Sequence, residues 1–570
     1  MTNAEIAQIF AEMGDILEIQ GQDRYRFLAY RRAAQEIARY PTDVTELWRA
    51  GKLEDIPSIG KTLAAKIDEL LRTGQIQAHQ RLIQEVPPSV IEVLRIPGVG
   101  PKRAQQLWKE LGITSISELE AAARDGRLAG VKGMGEQTIQ NILKGIEAVR
   151  AMGDRIPLGV ALPIAQDLAA ALRRGPGVQA VDMAGSLRRR CETVGDIDLL
   201  AAADDTAAVI NYFTQLPQVK ETRSAGDNKA TVALTGGLTV DLMALPTRNW
   251  GSLLQHFTGS RQHNIQLRTE SVARGLHVSE WGITGADGVL RTFTDEADVY
   301  HALGMDWIPP ELREASGEIE AARAHKLPHL VTLADIRGDL QMHTTYSDGA
   351  TTVEGMARAA QALGYAWIAI TDHSHSLAMT GGLDVARARQ QAREIAEVNA
   401  QLAPFRVLRS VELEILADGS LDLPDEALAE FDIVVASAHT GQRGERATLM
   451  KRYLAAMRSP YVDIIGHPFG RILGKRPPMD LDFEALVAAA AETGTALEIN
   501  GQVDRLDLNG EQARYAAGQG VMITLASDAH APEGLGVIAF AVETARRGWL
   551  EPKHILNTRS LAELEQWLRR

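Results

Sequence analysis

From residue 335 to the carboxy terminus, apolar segments alternate with alanine-rich helical patterns, and most of the apolar segments end on a side chain that binds metals. The spacing predicts strands at 338–343, 367–373, 407–415, 433–439, 462–467, 496–500 and 522–528. Strands that are apolar on both faces and joined through helices form a parallel sheet, so this part should be an α/β sheet or barrel. The carboxy-terminal ends of barrel strands make the usual active-site face. His343, Asp348, His373, Glu412, His439, His467, Asp528 and His530 fall in these strand-end motifs. A lone histidine on an apolar strand is usually a satisfied core residue, but eight such placements on one rim point to a metal cluster. Imidazole mixed with carboxylate suits Zn2+ or Mn2+.

A second acidic constellation lies upstream, in Gly185-Ser186-Leu187-Arg188-Arg189-Arg190-Cys191-Glu192-Thr193-Val194-Gly195-Asp196-Ile197-Asp198. In an extended strand, residues i and i+2 face the same way, so Asp196 and Asp198 aim at one point. Asp241, on a neighbouring strand, can complete a three-carboxylate cluster of the kind that holds Mg2+ or Mn2+ beside substrate phosphates. Gly185-Ser186 can turn backbone N–H groups toward an anion. Strands are expected near 178–184, 196–202, 230–234 and 238–243, followed by a smaller α/β segment to about residue 315.

The first 150 residues read as short amphipathic helices broken by Gly/Pro turns. A Gly-rich turn recurs before a helical pattern at Ser58–Gly60, Gly98–Gly100 and Gly133–Gly135. Glycine there allows close backbone approach, and the following helix N-terminus offers free N–H groups to a phosphate. The net charge of −14 weighs against a nucleic-acid partner, but this region carries 20 Lys/Arg and 20 Asp/Glu, so the acidic excess lies downstream with the metal sites. The composition therefore predicts modest, salt-sensitive DNA affinity. One cysteine, Cys191, excludes an intramolecular disulfide and fits a reducing, cytoplasmic setting. No stretch of about twenty apolar residues suggests a membrane span.

The order of the acidic motifs resembles the nucleotidyltransferase palm of family X DNA polymerases, those similar to DNA polymerase beta. The resemblance covers roughly residues 1–315. It implies that Asp196, Asp198 and Asp241 bind two divalent ions, that Ser186 and Arg189 contact the triphosphate, and that Gly195 offers a backbone contact. In His256-Phe257-Thr258-Gly259-Ser260 it places Phe257 and Gly259 at the nucleotide sugar, with Asn264 and Arg268 near the minor-groove edge. His256 replaces the family's tyrosine, and Leu158 stands for an arginine that touches the triphosphate. Lys66, on a helix that looks like the family's lyase helix, matches the lysine that forms a Schiff base with an abasic sugar, and Lys61, Arg31 and Arg32 could supply the cationic field. Tyr30 matches a tyrosine on the 5′-phosphate side of a gap. Gly60, Gly98, Gly100, Gly133 and Gly135 look like helix-hairpin-helix contacts to DNA backbone, which position a duplex without reading bases.

The carboxy-terminal part is similar to the polymerase and histidinol phosphatase (PHP) domain, a barrel of about seven βα units with a multinuclear metal site. The resemblance implies metal-dependent phosphoesterase chemistry: a 3′–5′ exonuclease, a 3′-phosphatase or an abasic-site endonuclease. Glu412 and Asp528 could bridge adjacent ions. Gln341 departs from the His-x-His start of many relatives. The two halves together are similar to bacterial family X polymerases.

The expected fold is multidomain, α+β and α/β. It comprises a lyase-like helical domain at 1–80, helix-hairpin-helix fingers at 81–150, the palm at 151–246, the thumb at 247–315, a linker at 316–334 and the PHP barrel at 335–570. The expected protein is a monomeric, cytoplasmic DNA repair polymerase. Its substrates would be gapped or nicked DNA with a 5′-phosphate and deoxynucleoside triphosphates; its ions Mg2+ or Mn2+ in the palm and Mn2+ or Zn2+ in the barrel. Two other readings stand beside it: a DNA-binding repair scaffold with impaired sites, motivated by His256, Leu158 and Gln341, and a small-molecule phosphatase.

Overall fold

The computed structural model describes residues 1–570 apart from 2, 41–42, 97–98, 153–154, 236–237, 378–379 and 570. The chain forms two compact units: residues 1–153 with the short segment 472–477, and residues 154–471 with 478–570.

The first unit is helical. Helix Asn3–Ile19 serves two cores. Ile6, Phe10, Met13 and Leu17, at spacings of three and four, pack with Tyr30, Ile37, Leu63 and Ile67. Ile16 and Ile19 form a second stripe that packs with Val86, Leu107, Leu119 and Ile142. The boundary read at 80/81 falls inside helix Gln77–Glu85, whose Leu82 packs on both cores. Gly60 and Gly100 are the N-caps of helices Lys61–Thr73 and Pro101–Leu111, and Gly135 precedes helix Glu136–Met152. Ser58 (φ +62°) and Gly133 (φ +82°) take the left-handed turn position two residues before the cap.

In the second unit, residues 154–246 build a five-stranded mixed sheet in the order Ala180–Met183, Ile197–Ala202, Thr239–Leu245, Lys229–Leu234, Val219–Ala225. The four strands read in the sequence are all present. The fifth, Val219–Ala225, escaped because it is an exposed edge of polar residues with two register shifts, so it shows no apolar alternation. Helices Leu158–Leu172 and Thr206–Thr214 pack through Leu162, Leu168, Ile210 and Phe213 onto strand residues Leu199 and Leu242.

Residues 247–315 form helices Trp250–Thr258, Arg261–Val272 and Glu296–Ala302 beside a three-stranded antiparallel sheet. The segment read as a linker is packed rather than free. Helix Glu318–Arg323 places Ile319 and Ala322 in the core of Leu267, Val299 and Tyr300, and Glu318 hydrogen-bonds buried His263 at 2.7 Å.

Seven parallel strands follow in sequence order, from Gly338–Asp339 through Trp367–Ile370, Arg406–Glu414, Ile433–Ser437, Ile464–Ile465 and Ala496–Asn500 to Ile523–Ala526. A bridge between Met342 and Ala529 joins the first strand to the last, so the sheet curls into a nearly closed barrel. The first strand is shorter than read: it ends at Asp339, beyond which Thr371 still donates to the Met342 carbonyl at 2.9 Å and Met342 bridges Ala529.

Candidate active sites

Strands Ile197–Ala202 and Thr239–Leu245 run parallel, and their register sets Asp198 directly opposite Asp241. Asp196 precedes the first strand by one residue. Burial pushes the Asp198 carboxyl up to about 7, helped by the like charges of Asp196 and Asp241. Asp241 Oδ1 is buried without a hydrogen-bond partner, and Lys229 lies 3.3 Å from its other oxygen. Three converging carboxylates with an orphaned oxygen fit a divalent cation. Gly185 (φ +57°) opens the short helix Gly185–Arg188, and a Cβ there would sit 2.1 Å from Asp198 Oδ2. Glycine alone lets that helix start touch the carboxylate site.

The expected nucleotide groups divide into two sets. Gly195 directly precedes Asp196, and Ser186 follows Gly185, which abuts Asp198. Arg189 is near enough to lower Asp198's pKa, yet its guanidinium is engaged: Nε donates to Glu314 at 3.0 Å and Nη1 to the Thr258 carbonyl at 2.7 Å. A Cβ on Gly259 would come within 3.0 Å of that Nη1. In the second set, the Asn264 amide is satisfied inside the thumb by Gln255 (2.9 Å) and the His256 carbonyl (2.7 Å). Arg268 lies 3.3 Å from His256 Nδ1, with Glu280 on the same nitrogen at 3.4 Å, and the His256 and Phe257 rings are 5.0 Å apart.

Leu158 proves to be a core residue, 1% exposed, and its backbone N–H donates to the Glu192 carbonyl at 2.9 Å. The cation at the loop is Arg155, which the sequence reading passed over. Its Nε donates to Thr193 Oγ1 at 2.9 Å, and its Nη1 lies 3.7 Å from where a Cβ on Gly195 would be.

In the helical unit, Tyr30 and Lys66 line one cavity of about 600 Å3 together with Thr62, Arg26 and Arg81. The cations read as neighbours of Lys66 are elsewhere. Arg31 pairs with Asp15 and Glu18, each at 2.6 Å, and Lys61 lines a separate opening with Asp55 and Asp68. The basic side chains that share the Lys66 cavity are Arg26 and Arg81, which rise from neighbouring helices toward the same gap. A Cβ added at Gly60, Gly100, Gly133 or Gly135 would meet nothing within 4 Å, so internal packing does not explain these glycines. Gly98 lies outside the described residues.

The barrel gathers all eight strand-end side chains. Ligand atoms of His343, Asp348, His373 and His530 lie within 4.8 Å of one another, as do those of His373, Glu412 and His439. Glu412 is the hub, with His467 at 3.0 Å, His373 at 3.1 Å, His439 at 3.3 Å and His343 at 3.6 Å. Asp528 meets His343 at 3.1 Å. Burial works against charge here, but the surrounding opposite charges outweigh it. Burial alone would lower His343 and His439; Asp528 and Glu412 carry them up to about 9 and about 10, respectively. Burial prevails at His373, which falls to about 4. Buried His343 Nδ1 and His467 Nδ1 have no hydrogen-bond partner, and the mixed nitrogen and oxygen donors fit Mn2+ or Zn2+.

Further residues at this rim were not singled out in the sequence. Glu414 accepts from the His439 backbone and lies 2.9 Å from its Nδ1, and Asn500 donates to Asp528 Oδ2 at 3.1 Å. Glu414 sits two residues after Glu412 on the same strand, and Asn500 closes strand Ala496–Asn500. The period-two offset from Glu412 and the strand-end position of Asn500 were the available signals. Gln341 is fully buried with both amide atoms unpartnered.

Over its whole length, and the whole length of the relative, the chain is 36% identical to "DNA polymerase/3'-5' exonuclease PolX" of Bacillus subtilis (strain 168). The chain belongs to the family X DNA polymerases. Residues 1–76 of this family X member match a helix-hairpin-helix domain, 90–148 a SAM-like helix-hairpin-helix tandem, 253–314 the DNA polymerase beta thumb and 339–502 the PHP domain. It is also 25% identical to DNA polymerase lambda of Rattus norvegicus over 55% of this chain and 56% of that one. A probable phosphatase of Thermoanaerobacter sp. (strain X514) is 29% identical over 40% of this chain and 94% of its own length. Among the described residues, no helix is long and apolar enough to cross a membrane.

Proposed function

We propose that the protein fills short gaps in DNA with its palm and processes 3′ ends with its barrel. Gapped or nicked DNA carrying a 5′-phosphate is the substrate, and deoxynucleoside triphosphates are the building blocks. Asp196, Asp198 and Asp241 would hold Mg2+ or Mn2+. Bound divalent ions supply Lewis-acid charge to phosphate oxygens and favour loss of a proton from the attacking hydroxyl. Around them, the backbone at Gly185-Ser186 and Gly195, together with Arg155 and Arg189, binds the triphosphate, since planar guanidinium forks match phosphate oxygens. Phe257 and Gly259 flank the sugar, and Asn264 and Arg268 stand on the minor-groove side. Tyr30 and Lys66 take the 5′ end, with Arg26 and Arg81 as phosphate partners. Gly60, Gly98, Gly100, Gly133 and Gly135 let the DNA backbone approach the helix starts.

In the barrel, His343, Asp348, His373, Glu412, His439, His467, Asp528 and His530 would hold Mn2+ or Zn2+. Glu414 fixes the His439 ring through Nδ1, and Asn500 fixes Asp528, so both present their free atoms inward. The likeness to a probable phosphatase across this domain favours 3′-phosphate removal beside 3′–5′ trimming.

The observation that carries the polymerase reading is the register of Asp198 against Asp241. Asp196→Ala with Asp198→Ala should abolish primer extension on a one-nucleotide gap while Mn2+-dependent end trimming persists. Extension surviving in that double variant would refute the palm assignment.

A further inference from the structure

The arginine that should grip the triphosphate is already holding a carboxylate. Glu314 Oε1 accepts from Arg189 Nε at 3.0 Å, and the same oxygen receives a second guanidinium, Arg547 Nη1, at 3.1 Å. Arg547 belongs to helix Ile538–Arg547 of the barrel, and it also donates to the Arg189 carbonyl at 2.7 Å. Burial disfavours the Glu314 charge, but Arg189 first and Arg547 next hold its carboxyl below the ordinary range. Arg189 is 12% exposed. The barrel also grips this palm loop on both flanks. Arg190, in the left-handed region at φ +56°, meets Glu543 at 2.9 Å, and Glu192 meets Arg471 at 2.6 Å.

We propose that Glu314 is a stand-in for the triphosphate on Arg189, and that Arg547 of the barrel receives Glu314 when the nucleotide displaces it. This rests on the reading of Arg189 as a triphosphate contact. A half-buried carboxylate stripped of its only cation is costly, so an exchange without Arg547 would oppose nucleotide binding. With Arg547 already in place, Glu314 keeps a partner throughout and Arg189 is released at little cost. The barrel thereby sets part of the polymerase's nucleotide affinity. Arg547 is a positioning residue: it acts on the nucleotide only through Glu314 and Arg189.

The test is the KM for the incoming nucleotide in single-gap filling by the full-length chain, with barrel 3′-end trimming as the check that each variant is folded. Glu314→Gln should lower KM about three- to tenfold, the size of one charge-pair competition in a partly buried site, with kcat little changed. Arg547→Met keeps the aliphatic stem and should raise KM by a similar factor. In the double variant Arg547 has nothing left to act on, so KM should match that of Glu314→Gln alone. An additive double variant, or an unchanged or raised KM in Glu314→Gln, overturns the exchange. Arg189→Ala separates the two levels. A raised KM there together with failure of the other variants sinks only the exchange; an unchanged KM sinks the triphosphate role of Arg189 and the exchange with it.

Discussion

Asp198 is buried and faces two neighbours of the same sign, and burial first and the like charges next raise its carboxyl to about 7. In the unfolded chain the same group titrates near 3.9. Between those values the folded state holds a proton that the unfolded state has lost. Its stabilising contribution is therefore complete below about pH 4 and is lost as pH rises through 7, a loss of order 2–4 kcal/mol. In EDTA, the Tm of the palm-containing unit should fall between pH 5 and pH 8, and Asp198→Asn should flatten that fall. Mg2+ should raise the wild-type Tm at pH 8, because an ion that binds only the folded state stabilises it. An identical pH slope in wild type and Asp198→Asn would refute the clustering. Gln341 is the other telling position: a neutral amide, buried and unpartnered beside the barrel rim. An amide oxygen is a harder, weaker donor than imidazole, so Gln341→His should shift the barrel toward zinc. Metal content after equilibration with equal Zn2+ and Mn2+ should show zinc retention up by about tenfold, on the order of one added nitrogen ligand.

Short elements decide whether these groups meet. The turn into helix Gly185–Arg188 works only without a Cβ, since an alanine there would overlap Asp198 Oδ2. Gly185→Ala should cost about a hundredfold in extension rate, the penalty of displacing reacting groups by about an ångström. Barrel trimming should be unchanged, and equal losses in both activities would mean that the substitution simply unfolds the chain. Glu296, on helix Glu296–Ala302, ties this region to the thumb by accepting from Arg188 at 2.8 Å and Arg313 at 2.6 Å. Burial opposes its charge, but the two guanidinium groups outweigh it and hold the carboxyl at about 2. Apolar patterning made the inner palm strands and the barrel strands legible: the barrel strands, buried on both faces, read as continuous apolar runs. The edge strand Val219–Ala225 carries no such pattern, since its side chains face water and its register slips twice.

At the scale of the molecule, palm, thumb and barrel form one compact unit, and ion pairs such as Glu192–Arg471 join the palm to the barrel. Arg471 follows the candidate barrel ligand His467 by four residues, and it also donates to the Arg505 carbonyl at 2.8 Å. A double-variant cycle of Glu192→Gln and Arg471→Gln, read by denaturant unfolding of the full chain, should give a coupling of about 1–3 kcal/mol. Additive losses would mean that the two domains merely touch. By itself the sequence determined which side chains could come together: the candidate carboxylate triad, the eight candidate ligands of the barrel rim, and the strand positions that carry them. Those follow from local periodicity, which each segment carries whatever its neighbours do. Only the tertiary structure decided the partners. It placed the Arg155 guanidinium on Thr193, Arg26 and Arg81 in the cavity with Lys66, and Glu314 with Arg547 on Arg189. Charged side chains are long, and several carboxylates of one chain could satisfy each of them. Which one does is settled by the packing of elements far apart in sequence.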